Sequence, residues 1–94
     1  MAFWCYILRC ADDTYYVGHT TDLEARLNLH NSGHGPAYTR ARRPVELIYS
    51  ESFPAIADAV RREAQVKRWS AQKKRALAEG ARDTLKTLSR RRGR

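Results

Sequence analysis

A glutamate in the second half of the chain occupies a position where a charge is not expected. Ala59, Glu63 and Val66 recur at helical spacing, so Glu63 lies in the middle of the apolar stripe of a predicted helix. A carboxylate on a buried face must be paired, hydrogen-bonded or bound to a metal, because an isolated buried charge is strongly unfavourable. Arg26 and Lys67 are the candidate partners for a purely structural ion pair.

Two more polar residues lie on the apolar stripe of an earlier predicted helix. Leu23, Arg26, Leu27 and His30 occupy positions i, i+3, i+4 and i+7, which form one face. On a structural interpretation, Arg26 is a surface residue whose stem covers apolar atoms, and His30 is a core or boundary histidine. On a functional interpretation, they place a planar cation and an imidazole that titrates near neutral pH beside other reactive groups.

A predicted hairpin at the start of the chain favours the functional interpretation. The segment FWCYILRCADDTYYVG, residues 3–18, sets two runs of aromatic and β-branched residues around a polar turn. Side chains alternate along a strand, so a suitable register brings Tyr6 and Tyr16 to one face, whereas a one-residue slip separates them. Gly18 closes the second strand, where a missing side chain admits another backbone or a ligand.

The hairpin residues resemble those of a known family. Cys5-Tyr6-Ile7, followed ten positions later by Tyr16-Val17-Gly18, is similar to the paired GIY and YIG motifs of the GIY-YIG nuclease superfamily. Cysteine replaces the first glycine of the first motif. The resemblance covers about residues 3–79 and is greatest to the small stand-alone bacterial group. It continues through residues 21–26, 30–33 and 38–40 and through Glu63.

The resemblance implies a nuclease site made of five residues. Tyr6 and Tyr16 would bind the attacking water and help to deprotonate it, with His30 as a competing base or a phosphate ligand. A tyrosine base would need nearby cations, such as Arg26 and a metal, to lower its pKa. Arg26 would also brace the scissile phosphate through its bidentate fork. Glu63 would hold a single Mg²⁺ or Mn²⁺, with water filling most of the coordination sphere.

A basic and aromatic segment follows the first predicted helix. The loop at residues 33–36 is interpreted as a backbone clamp, and residues 37–43 combine an aromatic ring and a hydroxyl with three arginines. This mixture suits phosphates and a stacked base, although an ordinary solvated short helix is an equally good interpretation. The residues predicted to contact nucleic acid are His19, Tyr38, Thr39, Arg40, Arg42, Arg43, Lys67, Lys73, Lys74 and Arg75.

The charge of the 94-residue chain is unevenly distributed. The formal net charge is +8 at pH 7, yet residues 1–60 hold five basic and seven acidic residues, whereas residues 61–94 hold thirteen and three. Such asymmetry indicates a polyanionic partner, most simply nucleic acid. A solubilising basic face is the alternative.

The sequence does not favour a membrane span, a disulfide bond or a zinc site. No run approaches the ~20 apolar residues that cross a bilayer, so we expect a cytoplasmic protein without a membrane partner. Cys5 and Cys10 would lie on opposite faces of one strand, which argues against a bridge or a shared metal. His19, His30 and His34 could be zinc ligands, but the glycines around His34 argue against a continuous helix there.

These elements predict an α/β fold: a small three-stranded antiparallel or mixed sheet flanked by helices, in the order β-β-α-(α)-β-α-α. Thr21 and Glu24 form a capping box for a helix from Asp22 to about Asn31. A strand at residues 45–53 and helices at about 55–69 and 71–79 follow, with Gly80 as the final cap. Residues 1–80 would form the domain and residues 81–94 a mobile, basic, phosphate-binding tail.

The sequence therefore predicts a metal-dependent DNA endonuclease, with branched or flapped DNA and a role in repair or recombination as finer expectations. One alternative is a weakly active or inactive nucleic-acid-binding module on the same fold. Another is a basic adaptor that associates with ribosomes or RNA. The decisive difference is geometric, because a nuclease needs both tyrosines, Arg26 and Glu63 to converge, whereas a binding module needs only the basic surface.

Overall fold

A three-stranded antiparallel sheet forms the centre of the domain. The structure is a computed structural model that describes residues 1–80. Strands β1 (Phe3–Arg9) and β2 (Tyr15–Thr20) form the hairpin, and β3 (Glu46–Phe53) pairs with the other edge of β1, so the strand order is β2-β1-β3. Both pairings are antiparallel, which confirms the predicted fold class. The predicted tail at residues 81–94 lies outside the described residues.

Helices follow the predicted order, with a correction at one end. They are α1 (Leu23–Asn31), α2 (Ala37–Arg40), α3 (Ile56–Lys67) and a helical segment at residues 71–80, called α4 here. The capping box of Thr21 and Glu24 is wrong, because the N-cap of α1 is Asp22, whose carboxylate accepts a hydrogen bond from the Ala25 N–H. Gly80, predicted as the cap of the last helix, is itself helical. No helix within residues 1–80 is both long and apolar enough to span a membrane.

The hairpin adopts the register that places both tyrosines on one face. Tyr6 lies opposite Gly18 and Leu8 lies opposite Tyr16. Tyr6 and Tyr16 are therefore diagonal neighbours on the same side of the sheet. We call this side the front face and the side that carries Cys5, Ile7 and Val17 the back face.

Each face of the sheet has its own apolar core. The front core contains Tyr6, Leu8, Cys10 and Val45, packed against Leu23 and Leu27 of α1. The back core contains Cys5, Ile7, Val17 and Val66, packed against residues that include Trp69 and Leu77. Each fully buried apolar side chain contributes about 1.5–3 kcal/mol, so both layers hold the hairpin in place. The two buried cysteines are free and lie on opposite faces, as predicted.

A β-bulge lets β3 supply both cores. Ile7 pairs with Tyr49 and Leu8 pairs with Leu47, so Ile48 is an extra residue between two pairs. Regular alternation would place Leu47 and Tyr49 on the same face. With the bulge, Leu47 packs in the front core, whereas Ile48 and Tyr49 pack in the back core.

Asn31 fastens the end of α1 to the chain that enters β3. Its Oδ1 accepts a 2.7 Å hydrogen bond from the Val45 N–H, and its Nδ2 donates a 3.1 Å bond to the Val45 carbonyl. The amide thus makes the pair of bonds that a neighbouring strand would make with the buried Val45. This attachment also fixes the preceding residue, His30, against the front face.

We expect Asn31→Ala to lower the free energy of unfolding by about 1–2 kcal/mol, because it removes both bonds and leaves the Val45 N–H without its partner. Urea denaturation measures the effect. Asn28→Ala, at an exposed position on the same helix, is the matched control and should change stability by less than about 0.5 kcal/mol. Equal effects of the two substitutions would contradict the role given to Asn31.

Candidate active site

Tyr6 reaches across the neighbouring strand because position 18 has no side chain. A Cβ atom there would lie 2.5 Å from Tyr6 Oη and 2.7 Å from Cζ. The ring therefore lies directly over Gly18, and only 2% of Tyr6 is exposed. The Tyr6 hydroxyl therefore lies over β2, which is an edge strand of the sheet.

The Tyr6 hydroxyl begins a buried chain of hydrogen bonds. Tyr6 Oη lies 3.0 Å from His30 Nε2, and His30 Nδ1 lies 2.8 Å from Thr39 Oγ1. The Thr39 hydroxyl donates its proton to the Pro36 carbonyl oxygen, 3.2 Å away, and it has no second proton to give. His30 Nδ1 must therefore carry the imidazole proton, so Nε2 accepts a hydrogen bond from the Tyr6 O–H.

This chain is sealed from solvent at its inner end. His30 and Thr39 have no exposed surface. A Cβ at Gly35 would lie 2.9 Å from His30 Nδ1 and 3.2 Å from Thr39 Oγ1, so glycine is needed there for the close approach. The prediction that Thr39 contacts nucleic acid is wrong, because its hydroxyl is buried between His30 and Pro36.

Burial dominates the protonation of both partners. Burial raises the pKa of Tyr6, and the nearby Tyr16 raises it further. The charge of Arg26 offsets this rise only in part. Burial also lowers the pKa of His30, with a further contribution from the Arg26 charge. The phenol is therefore protonated and the imidazole neutral at pH 7. Arg26 alone does not make Tyr6 the low-pKa base that the sequence suggested.

Arg26 and Tyr16 complete the surroundings of the phenol. Arg26, half-buried on α1, lies near enough to Tyr6 to lower the pKa of the phenol in part. The Tyr16 ring lies 6.4 Å from the Tyr6 ring and 5.1 Å from the His30 ring, measured between centroids. Tyr38 follows at 6.2 Å from Tyr16 and is 39% exposed. A row of rings thus leads from the buried imidazole to solvent.

Glu63 approaches the β2 edge from α3. Its Oε1 lies 2.6 Å from His19 Nδ1, its Oε2 lies 2.8 Å from Lys67 Nζ, and its side chain is 16% exposed. Burial disfavours the carboxylate, but hydrogen bonds from Lys67 and His19 outweigh burial and hold the pKa of Glu63 below its ordinary value. The Glu63 charge also contributes to the raised pKa of Tyr6. Of the two partners considered from sequence, Lys67 makes the ion pair and Arg26 does not.

The site offers one carboxylate to a metal ion. Within residues 1–80, no three histidine, cysteine, aspartate or glutamate side chains form a group that could hold a metal. The three histidines have separate partners, which makes the zinc alternative wrong. A hard cation such as Mg²⁺ needs only one or two carboxylates and water. The ionised Glu63 fits that requirement if Lys67 releases one of its oxygens.

The arginines after α1 have different surroundings. Arg40 is exposed and its side chain has no hydrogen-bonding or ionic partner in the part of the chain that the structure describes. Arg42 is bound to Asp12 at 3.0 Å, and its guanidinium carbon lies 4.0 Å from the centroid of the Tyr38 ring. Arg43 folds back and donates to the Arg40 carbonyl. Arg40 is therefore the arginine of this segment most available to a phosphate.

The remaining predicted nucleic-acid contacts are not gathered beside Tyr6. Lys73, Lys74 and Arg75 lie on α4, and α4 packs through Leu77 against the back core. Within residues 1–80, none of these three cations makes a hydrogen bond with Tyr6 or His30. A separate surface must account for any contact that they make with nucleic acid.

Known proteins resemble this chain over most of its length. Residues 2–76 match the family model described as the GIY-YIG catalytic domain. A UPF0213 protein of Bacillus pumilus is 52% identical over 69 residues, covering 73% of this chain and 70% of that protein. A UPF0213 protein of Staphylococcus haemolyticus is 45% identical over 76 residues, covering 81% and 93%.

Two structures solved by NMR in solution share the fold. A UPF0213 protein from Bacillus halodurans has a TM-score of 0.54 and 42% identity, covering 84% of each chain. A protein from E. faecalis has a TM-score of 0.60 and 34% identity, covering 87% of this chain and 88% of that one. The sequence resemblance and the arrangement of strands and helices therefore agree.

The lowered pKa of His30 makes stability depend on pH. Folding lowers this pKa from its ordinary value of 6.5, so the unfolded chain binds more protons between the two pKa values. The free energy of unfolding should therefore be largest above about pH 6.5 and decrease as the pH falls toward 5. Carboxylates contribute little in that interval, since their ordinary pKa values lie near 4.

Urea denaturation between about pH 7.5 and 5 measures this dependence. His34→Gln, at an exposed position, is the control and should retain the full slope. His30→Gln should lose most of it, because glutamine does not titrate. Parent stability that stays constant across the interval would refute the assignment of a buried neutral imidazole.

Proposed function

Because this chain belongs to the GIY-YIG nuclease family, we propose that it hydrolyses phosphodiester bonds of DNA with the help of a divalent cation. The observation that carries the proposal is the hydrogen bond from buried Tyr6 to neutral His30, together with the effect of Arg26 on the pKa of the same phenol. A binding module needs a basic surface but no sealed proton acceptor behind a tyrosine. A nuclease needs such an acceptor to activate water.

The buried chain provides a path for the proton of the attacking water. Tyr6 Oη accepts that proton while its own proton passes to His30 Nε2. A phenol with a raised pKa is a poor base by itself, but the transfer to His30 avoids the need for a stable phenolate. The hydrogen bond from Nδ1 to Thr39 persists and stabilises the positive charge that His30 gains.

Arg26 and Glu63 are the two charged groups whose fields reach the phenol of Tyr6. The planar fork of Arg26 can hold two phosphate oxygens and stabilise the negative charge that develops as water attacks phosphorus. Glu63 would hold the cation, for which Mg²⁺ or Mn²⁺ suits a carboxylate oxygen. When bound, the cation neutralises phosphate charge and assists the departing oxygen. Lys67, once displaced from Glu63, is free to pair with a phosphate.

An exposed strip beside the site is suited to the DNA strand. Tyr38 and Arg42 form a stacked pair at the solvent end of the row of rings. Aromatic rings and guanidinium planes both bind unpaired bases by stacking. Arg40 and His19 add donors for phosphate contacts at the edges of the site. This strip supports flapped or branched DNA, which exposes unpaired bases, as the substrate. A role in repair or recombination is the cellular setting that we propose for such substrates.

One observation favours the alternative of a weakly active binding module. Both oxygens of Glu63 are engaged by His19 and Lys67, so a metal must compete with a cation of the chain itself. Cleavage of linear, flapped and branched DNA with Mg²⁺, Mn²⁺ or a chelator separates the two functions. Metal-dependent product from any of these substrates supports the nuclease, and binding without product under every condition supports the module.

Glu63→Gln isolates the role of the carboxylate charge. We expect metal-dependent cleavage to fall by at least about 100-fold, because the neutral amide is a poor ligand for a hard cation. DNA binding in a chelator should change by less than about twofold, and stability should fall by about 1 kcal/mol as Lys67 and His19 lose an ionic partner. Glu79→Gln makes the same change at an exposed site on α4 and should leave cleavage intact. A Glu63→Gln variant that cuts normally would refute metal binding at this position.

Arg26→Lys separates charge from geometry. Lysine keeps the positive charge and the helix propensity but loses the bidentate fork, so cleavage should fall by about 100-fold while DNA binding changes only slightly. Single-turnover rates and binding isotherms measure the two effects. Arg9→Lys, at an exposed position on β1 outside the site, should leave the cleavage rate unchanged. Normal single-turnover cleavage by Arg26→Lys would show that Arg26 does not contact the transition state.

A further inference from the structure

A second basic surface lies on the outer side of α3, away from the candidate active site. A groove of about 520 Å³, which we call the rear groove, is lined by Arg61, Ala64, Gln65, Arg68 and Trp69. We propose that the rear groove binds the phosphate backbone of a second nucleic-acid segment. The first segment is the DNA in the candidate active site, so this inference rests on the proposed nuclease function.

The geometry of α3 separates the two surfaces. Arg61, Gln65 and Arg68 follow the i, i+4, i+7 spacing and form one stripe of the helix. Glu63 is two residues from Arg61 and from Gln65, a rotation of about 200° around the axis, so it projects to the opposite side. A helix with its side chains is about 10–12 Å across. A nucleic-acid strand bound at Glu63 therefore cannot also occupy the rear groove unless it bends around α3.

The side chains of the rear groove carry little compensating negative charge. The Arg61 side chain is 76% exposed and is bound to Asp58 at 3.1 Å. Arg68 is exposed and has no side-chain partner within residues 1–80. The Lys73 ammonium lies 4.2 Å from the centroid of the Trp69 ring. Asp58 is the only carboxylate paired with any of these three cations in the described part of the chain.

The spacing of the charges matches a nucleic-acid strand. Arg61 and Arg68 are seven residues apart, which is about 10 Å along the helix axis. This distance is about three base steps of B-form DNA. Ala64 and the Trp69 ring make the lining of the groove more apolar than polar, but Arg62 and Lys73 lie against that ring. A partner that covers these apolar atoms must therefore also meet several cations. A phosphate backbone therefore complements the groove better than a hydrophobic partner.

The test compares binding to a three-way DNA junction with binding to a DNA duplex that matches one arm of that junction. Fluorescence anisotropy over a salt series, with chelator present, gives the slope of log Kd against log salt without cleavage. Arg61→Gln/Arg68→Gln keeps helix propensity and removes two charges. The slope for the junction should fall by about 1.8, which corresponds to two phosphate contacts, and the slope for the duplex should not change.

Arg9→Gln is the matched control for the single substitution Arg61→Gln. Arg9 is also exposed, is also ion-paired, and lines a different groove of about 520 Å³. Arg61→Gln should lower the junction slope by about 0.9, whereas Arg9→Gln should leave it unchanged. An equal loss for both substitutions would show diffuse attraction to a basic protein and would overturn the proposal. An unchanged slope for the double variant would also overturn it and leave an acidic protein as the better occupant.

Trp69 provides a second measurement that does not depend on cleavage. The chain has two tryptophans, so Trp4→Phe leaves Trp69 as the only indole. Acrylamide quenching of Trp69 should fall when the junction binds, because the bound backbone then covers the groove that Trp69 lines. Unchanged quenching with the junction bound would overturn the proposal. Protection of Trp69 without any cleavage would refute only the proposed nuclease function.

Discussion

The hydrogen bond between Tyr6 and His30 is the constraint on which the rest of this domain depends. It joins the centre of the sheet to α1 through the protein interior, where neither partner can turn to water. A buried hydroxyl or imidazole without a partner would cost about 1–3 kcal/mol, so each must find the other before the front core can close. Gly18 and Gly35 leave the space that this contact needs, and Thr39 completes it.

The same bond connects stability with reactivity. Among residues 1–80, no buried side-chain nitrogen or oxygen lacks a hydrogen-bond partner, so the polar groups of the front core are already satisfied. A proton acceptor held in one tautomer behind a phenol needs no rearrangement before it acts, and that preorganisation is what lowers an electrostatic barrier. The packing that folds α1 onto the sheet therefore also prepares the groups that would activate water.

Short-range patterns in the sequence predicted most of the fold and part of the candidate site. Helical spacing placed Arg26 and His30 on one face of α1, because both lie within one helix. Strand alternation left two hairpin registers open, and the structure adopts the one that brings Tyr6 and Tyr16 to the same face. Neither pattern could find Thr39 as the partner of His30 or His19 as the partner of Glu63, since these pairs join separate elements. The bulge at Ile48 was hidden for the same reason, because it is defined only by the pairing of β3 with β1.

The pairing of Glu63 with His19 and Lys67 bears on whether this domain needs a metal ion in order to fold. Many small metal-binding domains fold only as the ion binds, because the ion neutralises side chains that would otherwise repel one another. Here the chain supplies its own counterions to the carboxylate, and the surrounding core is apolar and complete. Glu63 therefore needs no metal ion to be compensated in the folded domain. Under the proposed function, the domain would form in a cell short of divalent ions and would take up an ion only together with its substrate.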